Sequence, residues 1–223
     1  MSDFYGQGCC YLAQATNQVG ATPETWSSLL AAQVCFNQAV QLDPDAAVFY
    51  ARAETLEWMY RLSNDRDFLS PLFKDLQQVI EQESRATRPL LLLNALWRRS
   101  RLLEPINSDL AIADLTQAIT LCPTDLSFYL ARGEYHFRYG CPEACIKDHL
   151  AALWQLSIQE NPSKREAHRQ FYTALQMELA VAVKPLDQRF DRLSSICAAL
   201  RDFWSAYPHY WFYHASPESS SEF

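Results

Sequence analysis

The chain has 223 residues, 19 Lys and Arg against 26 Asp and Glu, and a formal net charge of -7, a balance without the basic footprint of a nucleic-acid or anionic-membrane binder. Hydrophobic residues make up 49% and glycines number only five, which supplies a continuous core while arguing against tight-turned β architectures and glycine-rich phosphate loops. Seven cysteines are an odd number in a chain too large to depend on disulfide staples, and they read as reduced, mostly buried thiols of a cytoplasmic protein.

From the N-terminus, Met1-Ser-Asp-Phe-Tyr lacks the basic and long apolar stretches of a secretory leader, and no later segment approaches the roughly 20 apolar residues of a membrane helix. Prolines from Pro44 onward fall about one helix length apart, and proline is tolerated at helix ends but not in interiors. Between them the apolar residues keep a helical period, as in Leu110, Leu115, Ala118, Ile119 and Leu121. Breakers and periodicity together predict helices at about 2 to 17, 24 to 42, 46 to 62, 70 to 84, 89 to 103, 108 to 121, 125 to 139, 142 to 157, 163 to 183 and 187 to 205. They pair into five hairpins, at about 2–45, 46–88, 89–124, 125–160 and 163–205.

One phrase occurs twice. Phe36-Asn-Gln-Ala39-Val-Gln-Leu42-Asp-Pro44, followed by Phe49-Tyr50 and Ala51-Arg52-Ala53-Glu54, returns as Leu115-Thr-Gln-Ala118-Ile-Thr-Leu121-Cys-Pro123, Phe128-Tyr129 and Ala131-Arg132-Gly133-Glu134. The unit that starts at Leu126 continues this second copy and carries Phe128, Tyr129, Gly133, Tyr135 and Gly140, then Cys145, His149 and Ala152 at helical spacing. This pattern resembles the tetratricopeptide repeat, a helix-turn-helix unit of about 34 residues with a small residue in its first helix and a small, large, alanine and proline series down its second. Ala32, Phe36, Ala39 and Pro44 fill that series, as do Ala111, Leu115, Ala118 and Pro123. Phe4, Gly8 and Tyr11 fit the aromatic, small and aromatic places of a first helix. The copies stand 79 residues apart, two repeat lengths plus an insertion placed chiefly near 63 to 69.

Leu72, Leu76 and Val79 depart from the small residues expected of a second helix, and 163–205 matches only as an amphipathic pair, which leaves three full repeats and two degenerate ones. The resemblance implies an all-α, right-handed superhelical solenoid of about five antiparallel helix pairs over 1–205. The aromatic-rich stretch from Phe203 to Tyr213 is expected to fold back as a cap on its end, so that 206–223 comprises an aromatic cap and a disordered polar tail, Ser216 to Glu222.

In such repeats the first helix of each hairpin lines a concave groove that takes an extended or helical peptide. By register the groove presents Tyr50, Glu54 and Trp58, then Trp97 and Arg101, then Leu130, Glu134 and Arg138. Trp58 and Trp97 serve equally well as groove anchors or as filling between hairpins. The fixed Lys, Asn and Arg set with which some members grip a terminal carboxylate is not reproduced, since Glu54 and Glu134 stand there and no Lys lies on the first helices from 46 to 139.

His136, Cys141, Cys145 and His149 form the one constellation with metal-ligand chemistry, but most of these positions are those at which the two helices of a hairpin pack. The expected function is a protein-interaction adaptor, without enzymatic activity or cofactor and with no nucleic-acid or membrane partner. The alternatives are a metal or redox protein using that cluster, and a self-assembling element whose C-terminal aromatics dock on another copy.

Overall fold

The computed structural model describes residues 3–18, 20–84, 89–159, 168–170, 172, 173, 177 and 189–206. Among them there is no strand. The helices are α1 (Phe4–Thr16), α2 (Pro23–Leu42), α3 (Ala46–Ser63), α4 (Leu69–Glu83), α5 (Pro89–Leu103), α6 (Ser108–Leu121), α7 (Leu126–Arg138), α8 (Pro142–Gln159) and α9 (Arg189–Ser205). The helix expected over 163 to 183, and the aromatic and polar stretch beyond residue 206, lie largely outside the described residues.

Local chemistry sets these boundaries. Asp3, Thr22, Asp45, Asn107 and Asp125 cap α1, α2, α3, α6 and α7, each side-chain oxygen accepting a backbone N–H of the first turn at 2.8–3.2 Å. Pro23 opens α2, where its missing N–H costs nothing. Asn64 takes the left-handed conformation, φ 55°, to end α3. The insertion expected near 63 to 69 is a short 3₁₀ turn, Arg66–Phe68, that runs straight into α4.

Helices adjacent in sequence pack on one another, α1 on α2, α2 on α3, α3 on α4, α6 on α7 and α7 on α8, and α8 also packs on α9 across the largely undescribed stretch between them. The chain forms two compact units, one of the described residues through Arg99 and the other of those from Ser100 on, with the division falling inside α5. In the first, Leu12, Leu29, Phe36, Val48 and Met59 share one core cluster. In the second, Leu130, Ile146, Leu150, Leu156, Ile196 and Trp204 do. A fully buried side chain of the size of Phe36 contributes roughly 1.5–3 kcal/mol of transfer free energy. Leu72, Leu76 and Val79, which depart from the repeat pattern, are fully buried and fill their positions as core.

The duplicated phrase carries a duplicated contact. Arg52 on α3 sets Nε and one terminal nitrogen on the two oxygens of Asp75 on α4, at 2.8 and 2.6 Å, and gives the other to Asn37 of α2 at 3.0 Å. Arg132 on α7 does the same with Asp148 on α8, at 3.0 and 2.6 Å, and with Thr116 of α6 at 2.8 Å. Each arginine thus ties together three consecutive helices, through the bidentate geometry that guanidinium and carboxylate favour. Asp75 and Asp148 are buried, each one residue before the large position of its helix, and Asn37 and Thr116 each follow that position. Arg99 likewise bonds Gln77, the residue after Leu76.

Close approach repeats as well. A Cβ on Gly133 would lie 2.5 Å from the His149 ring, and one on Gly8 2.6 Å from that of Phe36. Both glycines admit the large residue of the following helix.

Candidate binding surfaces

In the first unit, α3 turns Tyr50, Glu54 and Trp58 to one side at four-residue spacing, all half-buried. Across from them Arg98 of α5 reaches in: its guanidinium bonds Glu57, Glu54 at 3.1 Å and the Tyr50 hydroxyl at 3.3 Å, and lies 5.1 Å over the Tyr50 ring. Burial disfavours that charge, but Glu57, Tyr50 and Glu54 outweigh it and raise the pKa of Arg98 further. Arg61, one turn beyond Glu57, pairs with it at 2.5 Å and stands 5.8 Å over the Trp58 ring. Trp58 packs partly on the core cluster of this unit and keeps part of its surface in solvent. Trp97, on α5, is half-buried too.

In the second unit the positions divide. Leu130 is fully buried in the core and offers no surface. Glu134 is buried and Arg138 exposed, with Nε of Arg138 3.2 Å from one Glu134 oxygen and a terminal nitrogen 3.2 Å from Glu104. Arg201 of α9 brings its own Nε to the other Glu134 oxygen, at 3.2 Å, and lies 4.9 Å over the Phe137 ring. Tyr139 donates its hydroxyl to the Glu104 carbonyl at 2.6 Å. Arg101 is half-buried in the same unit as Tyr135, whose phenol is pushed up to about 12 by burial and by Glu104, against opposing effects of Ser100, Arg101 and Arg138.

Sequence register placed Tyr50, Glu54 and Trp58 on one helix face and named Arg138, and it did not name Glu57, Arg61, Arg98, Glu104 or Arg201, the charged residues that surround them. Glu57 and Arg61 carry a readable signal, an acid four residues before a base on one helix. Arg201 carries none, because its helix lies in the stretch where the repeat pattern fades.

The His and Cys constellation does not converge. His149 is fully buried against Gly133, Cys145 is fully buried, Cys141 is exposed, and His136 lies 3.8 Å from Asp148. Among the described residues no three His, Cys, Asp or Glu side chains gather where they could hold a metal ion. Cys145 meets Cys197 of α9 instead; Cys197 donates to the Pro142 carbonyl at 3.5 Å, and its hydrogen bond with Cys145 raises the pKa of Cys145 and lowers that of Cys197. No helix among the described residues is long and apolar enough to cross a membrane. Compared with known proteins, the chain matches no family model and no curated protein.

Proposed function

We propose that the chain is a helical-repeat scaffold of the tetratricopeptide kind, a solenoid of about five helix pairs, that binds a peptide or helix of a partner protein. The Arg52 and Arg132 clamps and the Gly8 and Gly133 approaches support the repeat reading, because the same register produces the same contact in each unit. Seven free thiols fit a reducing compartment, the cytoplasm.

The observation that carries the binding role is the line of Tyr50, Glu54 and Trp58 on α3. Two half-buried aromatics flank a carboxylate, and Arg98 and Arg61 fix the rings from one side. Anchors already held in one geometry lose little freedom on binding, and aromatic and Arg residues dominate interface energies. The mechanism is binding on a preformed surface and needs no catalytic group.

The test is quantitative cross-linking and affinity capture with the wild-type chain and a Trp58→Ala, Tyr50→Ala variant. Partner recovery is expected to fall at least about tenfold, the loss of one or two interface anchors, with circular dichroism and melting temperature little changed. Recovery equal to wild type would remove these rings from the binding surface, and loss accompanied by unfolding would assign them to the core.

A further inference from the structure

At the end of α7, burial sorts four charges by sign. The Glu134 and Glu104 side chains are 11% and 14% exposed, whereas those of Arg138 and Arg201 are 54% and 42% exposed. Glu134 is shared, with one oxygen 3.2 Å from Nε of Arg138 and the other 3.2 Å from Nε of Arg201. The two guanidiniums are therefore held side by side on a buried carboxylate, with their outer edges in solvent.

Donors remain on both. Arg138 donates Nε to Glu134 and Nη1 to Glu104, and Arg201 donates Nη2 to Glu134 while its Nε stands in ion-pair contact with the other oxygen. Among the described residues nothing engages Nη2 of Arg138 or Nη1 of Arg201. Coulomb energy falls with distance, so an anion arriving from solvent meets the exposed guanidiniums before the carboxylates beneath them, and it is attracted although the cluster is formally neutral. Arg201 is also stacked on Phe137, which restrains its swing. Tyr139, 45% exposed with its hydroxyl held by Glu104, adds an apolar ring beside the pair.

We infer that this face of α7 and α9 receives an acidic segment of a partner protein, whose Asp or Glu side chains bridge Arg138 and Arg201 while neighbouring apolar side chains rest on Tyr139. The inference rests on the scaffold reading and gives its second unit a ligand chemistry. Charge complementarity selects the occupant: a basic segment would be repelled by the exposed guanidiniums, and Glu134 and Glu104, the acids that hold them, are covered.

The probe is a fluorescent peptide of alternating glutamate and leucine, blocked at both ends so that no terminal carboxylate contributes, titrated into the full chain and followed by anisotropy. Saturable binding is expected, at least about tenfold weaker for Arg138→Gln, the loss of one charge-assisted contact. Arg138→Gln leaves Glu134 paired with Arg201 and should fold. Arg201→Gln alone leaves Glu134 with Arg138 as its one cationic partner, so the second variant joins it to Glu134→Gln, which removes both charges together and is expected to weaken binding similarly.

Failure to bind the acidic probe, binding unmoved by both variants, or equal occupancy by inorganic phosphate alone would overturn the inference. A displayed-peptide selection separates this failure from that of the scaffold reading. Acidic sequences lost with Arg138→Gln support both, whereas neutral or basic sequences lost with Trp58→Ala keep the scaffold and overturn the acidic ligand. No enriched sequence at all would overturn both.

Discussion

His149 is a buried titratable group held by a glycine. Its ring is fully buried on α8 in space that Gly133 leaves open. Burial, and then the nearby positive charge of Arg201, lower its pKa to about 4 from the ordinary 6.5. The folded form therefore binds its proton more weakly than the unfolded chain does. The stability this group contributes is complete above about pH 6.5 and declines as the pH falls toward about 4, by roughly 3 kcal/mol if the whole shift is expressed. His136 acts in the same direction, since burial lowers its pKa against the opposing pull of Asp148. Urea midpoints measured from pH 8 to pH 5 should fall for the wild type and fall less for His149→Gln, which has no imidazole to protonate. Carboxylates titrate mainly below that window, so parallel curves for the two proteins would refute this account of His149.

The arginine clamps act between elements. Asp75 is 2% exposed at its side chain and Arg52 20%, so truncating Arg52 leaves a buried carboxylate with its strongest partner gone. We expect Arg52→Ala to cost about 2–4 kcal/mol, more than an exposed ion pair could, and Arg132→Ala to cost a similar amount in the second unit. Replacing Asp75 as well should recover part of the loss, because the stranded charge is then removed too. A double-mutant cycle on chemical denaturation measures this, and strictly additive losses for Arg52→Ala and Asp75→Ala would dissolve the clamp.

The helices that these clamps join were legible beforehand, because prolines, Asp and Asn caps and the apolar period are local signals; α5 and α6 begin and end where the residues place them. The partner of each arginine was not legible. Asp75 and Asp148 look like solvated helix acids until the neighbouring helix covers them. Leu130 and Glu134 read as groove residues by register for the same reason. Register gives a helix face, but the packing of the next helix decides how much of that face reaches solvent.

Over the whole chain, each unit has its own core: Phe36 and Leu29 belong to the first, Trp204 and Ile146 to the second. Contacts between sequence neighbours dominate both, so a local defect has few long-range contacts through which to spread. Amides open in cooperative blocks whose free energy follows the packing around them. Phe36→Ala deletes a fully buried ring and should cost about 3–5 kcal/mol. Hydrogen exchange read by mass spectrometry should then show lost protection concentrated in peptides before Arg99, with α7 and α8 close to wild type. Trp204→Ala should give the reverse, exposing peptides after Ser100 and sparing α1 to α3. Both substitutions act inside cores, which makes the pair a test of how stability is divided rather than of any surface. Uniform loss along the chain from either one would mean that α5, which runs through the division, couples the halves into a single folding block.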